Sequence, residues 1–158
     1  MKIPTKKECL SILNKNKTPS KVIEHSKAVY TVAENITNKL IKKGIKINKN
    51  LVIAAALLHD LERGKNNHVV RGFNLLKKVG YLEVAKVMKK HSLFKVTLKN
   101  NQPRSWEEKI VFYADKRCKD DNIVSLEERF KALEKHYKVN LSNELKFTRK
   151  IEKELLGK

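Results

Sequence analysis

Histidines and acidic residues are the side chains in this sequence with the most distinctive chemistry. Five histidines occur: His25, His59, His68, His91 and His136. His59 is followed directly by Asp60, and this pair ends the apolar run from Leu51 to Leu58. Burying an imidazole beside a carboxylate is costly unless both groups are paired or bound to a metal ion. Taken alone, the pair fits a metal site and a hydrogen-bonded core histidine equally well.

Two further residues of this kind are expected to face the interior. His25 shares a helix face with Val22 and Val29, and an inward histidine alone is more often structural than a ligand. Asp115 follows the apolar segment 110–114, so its carboxylate needs a partner. A salt bridge to Lys116 or Arg117 is the structural alternative, but adjacent residues do not face each other on a helix. We therefore expect Asp115 to have a different partner.

The remaining histidines are less informative individually. His68 begins a predicted helix and His91 ends one, where a cation also suits the helix dipole. Each is about as compatible with an ordinary helix end as with a ligand. His136 has no partner pattern, and we expect it at the surface.

Taken in order along the chain, these residues resemble the HD-domain family of metal-dependent phosphohydrolases. The matching segments are Glu24 to Val29, Ala55 to Asp60, Asn67 to Gly72, Lys90-His91 and Val111 to Lys116. The resemblance covers about residues 19–118. A His-Asp dipeptide is a weak signal, whereas five correctly ordered elements are a strong one.

The resemblance implies a metal centre, and its residues carry over one by one. One ion would have four ligands: His25, His59, Asp60 and Asp115. In family members with two ions, two more histidines bind the second ion, and His68 and His91 stand at those positions. Asp60 would then bridge both ions, and we expect two. Mixed histidine and carboxylate ligands favour Fe, Mn, Co, Ni or Zn over Mg, and the choice among them stays open.

The sequence also departs from common family patterns. Leu61 and Glu62 follow the His-Asp pair, so the His-Asp-Ile-Gly variant is absent, and His91 is followed by Ser92. A basic residue often stands three positions after the pair, and Arg63 occupies that place. Arg63 and Lys65 are the candidates for binding phosphate, and we expect them to act with Asp60 in catalysis. A solvated turn is the equally weighted alternative for both.

Residues 114–129 resemble a small HD subgroup. Some members of that subgroup are fused to a nucleotidyltransferase domain, and this faintly suggests a nucleotide-related substrate.

The elements that must position these residues are helices. Apolar residues recur with helical spacing from end to end, and Thr5 with Glu8, and Ser105 with Glu108, form capping boxes. We therefore predict an all-α fold, a compact single-domain helical bundle of the HD-domain type with about seven or eight helices and no strand. The domain spans residues 1–158, with a core at about 19–118 and a C-terminal helical extension at about 121–157.

Composition limits the possible environments and partners. The chain has 158 residues, 41% of them hydrophobic, which suffices for one core. No apolar run approaches the roughly 20 residues of a membrane span, and the start lacks a signal-peptide pattern. Two cysteines far apart, Cys9 and Cys118, make no disulfide framework. We expect a reduced, soluble, cytoplasmic protein with no membrane partner, and the oligomeric state stays open.

The net charge of +19 favours anionic partners. Thirty of the 36 basic residues are lysines, and such a lysine-rich composition can also reflect an AT-rich genome.

The expected function is hydrolysis of a phosphate ester or anhydride, by metal-activated water, in a small phosphorylated substrate such as a nucleotide. Two alternatives remain. The first is a nucleic-acid phosphodiesterase or binding module, which is less favoured because aromatic residues do not interleave with the basic runs. The second is a regulatory HD domain that binds a nucleotide without turnover.

Overall fold

Polar side chains that cap free backbone N–H groups set where several helices begin. The computed structural model describes residues 1–157, and both capping boxes form as expected: Thr5 caps the first helix with Glu8, and Ser105 caps the sixth with Glu108. Within these residues the helices are α1 (Lys6–Lys15), α2 (Ser20–Lys42), α3 (Lys49–Leu58), α4 (His68–Lys78), α5 (Leu82–Lys89), α6 (Trp106–Lys116), α7 (Leu126–Tyr137) and α8 (Ser142–Leu156). The prediction of an all-α bundle with seven or eight helices is confirmed.

The apolar helix α3 lies at the centre of the bundle. Asn48 caps it, and nearly every side chain from Leu51 to Leu58 is buried. It packs against α1, α2, α5 and α6. Since α3 ends at Leu58, the polar pair that follows emerges inside the bundle rather than at its surface.

Helices α4 and α5 form an antiparallel pair with a close approach at Gly72. A Cβ atom at this position would lie 2.9 Å from Met88 Cε and 3.4 Å from Leu61 Cδ2. A larger residue would therefore require the flexible end of the Met88 side chain to move. The helix pair places the start of α4 near the end of α5, so that the rings of His68 and His91 lie 6.4 Å apart between their centroids.

A small β-hairpin departs from the expectation that no strand forms. It pairs β1 (Cys118–Lys119) with β2 (Asn122–Ile123) in an antiparallel register. Asp120 in its turn has φ 53°, a left-handed conformation that Asp tolerates better than most residues. Strands of two residues are too short to show an alternating apolar pattern, which is why the sequence did not indicate them.

The C-terminal helices pack on the outside of α6. Both α7 and α8 contact α6, and Tyr113 of α6 donates a hydrogen bond to Glu152 of α8 at 2.5 Å. Cys9 and Cys118 are both buried and free. Across residues 1–157, no helix combines the length and apolar character needed to cross a membrane.

Candidate metal centre

Three helices bring four potential ligands together at the centre of the bundle. His25 lies on α2, His59 and Asp60 directly follow α3, and Asp115 lies in the last turn of α6. Their ligand atoms all lie within 4.8 Å of one another. This group is called set one below.

The distances within set one place the imidazole nitrogens against the carboxylate oxygens. Asp115 Oδ1 lies 3.0 Å from His25 Nε2 and 3.3 Å from His59 Nε2. Asp60 Oδ2 lies 3.4 Å from His59 Nε2 and 3.9 Å from His25 Nε2. Two histidines and two carboxylates thus point at one small volume.

A second group, called set two below, shares Asp60 and adds His68 and His91. Here the other carboxylate oxygen is used: Asp60 Oδ1 lies 3.3 Å from His91 Nε2 and 3.7 Å from His68 Nε2. Asn67, in a left-handed conformation, directly precedes α4, and His68 at the first position of that helix faces the carboxylate of Asp60, eight residues earlier in the chain. The structure thus brings together all six residues that the sequence indicated as ligands.

Backbone carbonyls fix the orientation of three of these imidazoles. In each ring Nδ1–H donates to a backbone carbonyl. His25 donates to Asp120 O at 2.6 Å, His59 to Ala56 O at 2.7 Å and His91 to Met88 O at 2.6 Å. A carbonyl oxygen can only accept, so Nδ1 carries the hydrogen in each ring. In the neutral imidazole the lone pair is then on Nε2, the atom that faces the carboxylates. Metal-binding histidines are typically held in this way.

The electrostatics of the metal-free cluster follow from burial and close charges. Burial lowers the pKa of His59, but Asp60 and Asp115 outweigh this and raise it to about 10. Burial would raise the pKa of Asp60, yet His59 and His91 hold it well below its usual range. The pKa of Asp115 is likewise held low by Lys116, His25 and His59 against the effect of burial. Both carboxylates therefore stay ionised at neutral pH.

The donor set fits a divalent transition metal. Among residues 1–157, neither His59 Nε2 nor Asp60 Oδ1 has a hydrogen-bond partner, although both atoms are buried. Leaving buried polar atoms without partners costs free energy, and a cation between them would satisfy both. Imidazole nitrogens mixed with carboxylate oxygens suit Fe, Mn, Co, Ni or Zn. The residues present thus fit the metal that the fold implies.

The expectation that Asp115 does not pair with its neighbour is wrong. Lys116 Nζ donates to Asp115 Oδ2 at 2.5 Å and to the backbone carbonyl of His91 at 2.8 Å. The long lysine side chain curls back at the end of α6, because the His91 carbonyl and the carboxylate together satisfy its buried charge. Lys116 therefore links a carboxylate of set one to the backbone of set two. Sequence reasoning missed this role, since the His91 carbonyl is distant in the chain.

The two basic residues named as phosphate candidates lie in different places. Arg63 lines both cavities beside the cluster, with its guanidinium donating to the Tyr137 hydroxyl at 3.4 Å. Lys65 is exposed and forms an ion pair with Glu62 at 2.6 Å. Its ammonium group is engaged by that buried carboxylate, so the structure does not bring Lys65 to the cluster. The position of Arg63 suits phosphate binding, whereas that of Lys65 suits a surface turn.

Two neighbouring cavities border the cluster and share Arg63, Asp115 and Arg129 in their walls. The larger, of about 340 Å³, is bordered by His68 and His91 of set two and has apolar walls that include Leu93. The smaller, of about 220 Å³, is bordered by His25 and Asp60. Each ligand set thus borders a cavity.

Comparison with known proteins identifies the domain family of the chain. A model of the HD domain matches residues 22–120. A tRNA (cytidine(56)-2'-O)-methyltransferase of Picrophilus torridus is 29% identical, over 97% of this chain and 47% of the relative. The chain thus spans about half the length of that relative. An uncharacterized protein of Methanocaldococcus jannaschii is 30% identical, over 81% of this chain and 83% of the relative. No solved structure matches significantly.

Proposed function

The chain belongs to the HD-domain family, and we propose that it is a metal-dependent phosphohydrolase. Its substrate would be a phosphate ester or anhydride of a nucleotide-like or other small phosphorylated molecule. The six residues of sets one and two would hold two divalent ions, with Asp60 between them.

The observation that carries this proposal is the placement of the two oxygens of Asp60. Oδ2 faces the histidines of set one, and Oδ1 faces those of set two. A carboxylate that only paired with a core histidine would not need three further histidines around it. The fixed Nδ1–H groups also leave the Nε2 lone pairs directed inward. This arrangement favours ion binding over a purely structural role.

The chemistry divides between the bound metal and the protein. Divalent ions in such a site supply Lewis acidity and lower the pKa of coordinated water toward neutrality. Asp60 and Asp115 contribute negative charge that stays ionised at neutral pH. Arg63 lies where its guanidinium can bind phosphoryl oxygens and stabilise the charge that develops on them. We assign no side-chain nucleophile to this site.

The test compares wild-type protein with Asp60→Asn after loading with Mn²⁺ or Fe²⁺. We expect hydrolysis of p-nitrophenyl phosphate, bis-p-nitrophenyl phosphate or a nucleotide by the wild type. The amide cannot bridge two cations as a carboxylate does, so Asp60→Asn should lose both metal and activity. Asp121→Asn is the matched control, because this exposed acid lies in the hairpin turn. Retained hydrolysis in Asp60→Asn would remove Asp60 from the mechanism, and nucleotide binding without turnover would support the regulatory alternative.

A nucleic-acid substrate is the second candidate. It is favoured by the net charge of +19 and by the relative named as a tRNA methyltransferase. Binding through phosphate contacts should weaken steeply with salt. The affinity for a short single-stranded RNA, measured at several salt concentrations, tests this candidate. Weak binding with little salt dependence would exclude it.

A further inference from the structure

Helix α7 presents one face to the larger cavity, although it lies beyond the segment that matches the HD-domain model. Arg129, Leu133 and Tyr137 recur every four residues, so they share one side of the helix. All three line the cavity that also borders His68 and His91. The HD-domain match ends at residue 120, and thus this wall belongs to the C-terminal extension.

Arg129 occupies an unusual position on this face. It lines the larger cavity and also the smaller one, which borders His25 and Asp60. Its Nε atom is buried and has no hydrogen-bond partner among residues 1–157. A buried guanidinium N–H without an acceptor costs free energy, and a bound anion would satisfy it.

The surroundings of Arg129 also favour an anion. Arg63 lines the same two cavities, and the ammonium group of Lys116 borders the larger one. Three basic side chains around one opening repel one another unless negative charge lies between them. Asp60 and Asp115 supply part of that charge, but Asp115 already pairs with Lys116 and Asp60 faces the histidines of both sets. An incoming phosphoryl group would supply the rest.

The rest of the larger cavity suits an organic group. Leu133 is half-buried, and together with Leu93 and Leu141 it gives the cavity an apolar wall. Tyr137 adds an aromatic ring, with its hydroxyl held by Arg63. The cavity is thus cationic near the metal ligands and apolar away from them.

We propose that α7 completes the substrate site, with Arg129 binding the phosphoryl group together with Arg63, and with Leu133 and Tyr137 contacting the organic group. The substrate class would be a phosphate ester or anhydride whose organic part has an apolar or aromatic face. This proposal rests on the proposed hydrolase function for its setting, but its phosphate site can be measured without catalysis.

The experiment compares metal-loaded wild type, Arg129→Gln, Arg129→Lys and the control Lys131→Gln. Lys131 is exposed on the same helix, so its variant makes the same charge change outside the cavities. Titration calorimetry with inorganic phosphate measures binding, and hydrolysis of p-nitrophenyl phosphate gives KM and kcat. We expect Arg129→Gln to weaken phosphate binding and raise KM by about 10- to 100-fold, as for loss of a hydrogen bond to a charged group. Arg129→Lys should recover part of this loss, and metal content should be unchanged in all variants.

The apolar wall is tested with phenyl phosphate and methyl phosphate as inhibitors. Wild type should bind phenyl phosphate more tightly, and Leu133→Ala should reduce that preference without changing inorganic phosphate affinity. Equal binding of the two esters to wild type would contradict the assignment of the wall.

The outcomes separate the two proposals. If wild type hydrolyses phosphate esters and Arg129→Gln behaves like Lys131→Gln, the role of α7 is wrong while the hydrolase function stands. If phosphate binding depends on Arg129 but no ester or nucleotide is hydrolysed, the hydrolase function is wrong while the phosphate site stands. Absence of both phosphate binding and hydrolysis contradicts both.

Discussion

The two ligand sets share Asp60, yet the chain holds them differently. In set one, His59 is fully buried and Asp115 nearly so, and these residues lie directly after α3 and in the last turn of α6, two helices that pack in the core. In set two, the side chain of His68 is 27% exposed. His68 is the first residue of α4, which follows a turn containing Gly64 and Asn67, both with positive φ. Set one has four potential ligands, whereas set two has three, and Asp60 belongs to both.

This difference predicts unequal ion binding. Buried ligands on packed helices lose little freedom when an ion binds, so set one should bind more tightly. Set two has a partly exposed histidine and two histidines on the larger cavity, so it should exchange its ion more readily and lie closer to the organic part of the substrate. The predictions below test this ranking, from the largest expected effect to the smallest.

Breaking set one should have the largest effect. We expect His25→Ala to lose the tightly bound ion and to reduce hydrolysis by at least about a thousandfold, because several kcal/mol of charge stabilisation disappear. Metal content and steady-state rates check this. His136→Ala is the control, since it removes an exposed histidine of α7. Near-normal activity in His25→Ala would contradict the prediction that set one binds its ion more tightly and matters more for hydrolysis than set two.

Breaking set two should have a smaller effect. His68→Ala should bind about one ion per chain instead of two, and hydrolysis should fall by about 10- to 100-fold, the range seen when the support of a metal site is weakened. Elemental analysis after desalting measures the ion count. A variant that still binds two ions would show that His68 is not a ligand.

Removing the link between the sets should have an intermediate to small effect on both. Lys116→Met keeps most of the side-chain volume but frees Asp115 and the His91 carbonyl from their shared donor. We expect the affinity for each ion to change by about tenfold, as for other residues that orient ligands. Competition with a metal chelator measures both affinities, with the exposed Lys119→Met as control. A change at only one ion would show that Lys116 does not couple the sets.

The two sets should also differ in proton release. Without metal, Asp60 and Asp115 raise the pKa of His59 to about 10 despite its burial, whereas burial lowers the pKa of His68. Near pH 8, His59 is therefore protonated and His68 is neutral. An ion entering set one must displace a proton from His59, so its affinity should rise by roughly tenfold per pH unit between about pH 8 and pH 10, whereas His68 has no proton to release in that range. Calorimetry of wild type and His68→Ala in buffers of different ionisation enthalpy counts the protons, and equal release from both sets would contradict this account.

Local patterns were enough to predict the helices, whereas the assignment of the six histidines and carboxylates as ligands stays a prediction. The capping boxes and the run from Leu51 to Leu58 are short-range signals, and they mark α1, α6 and α3. The resemblance to the family then indicated which histidines meet. Each potential ligand lies on one face or at one end of its helix, so its position within that helix follows from the local sequence.

The surroundings of the ligands could not be predicted in the same way. His25 donates to the carbonyl of Asp120, which is 95 residues away and depends on a left-handed turn in a two-residue hairpin. The position of Arg129 depends on how α7 packs against α6, and nothing in the spacing of α7 specifies it. The separation of Arg63 from Lys65 follows from the burial of Glu62, which a polar turn does not reveal.

The central claim is that Asp60 lies between two metal ions. Electron paramagnetic resonance of the protein loaded with two equivalents of Mn²⁺ tests it most directly, because a shared carboxylate couples the spins of the two ions. We predict the spectrum of a coupled pair in wild type, and that of isolated ions in His68→Ala. Isolated-ion spectra in the wild type, or a coupled pair that survives Asp60→Asn, would contradict the claim.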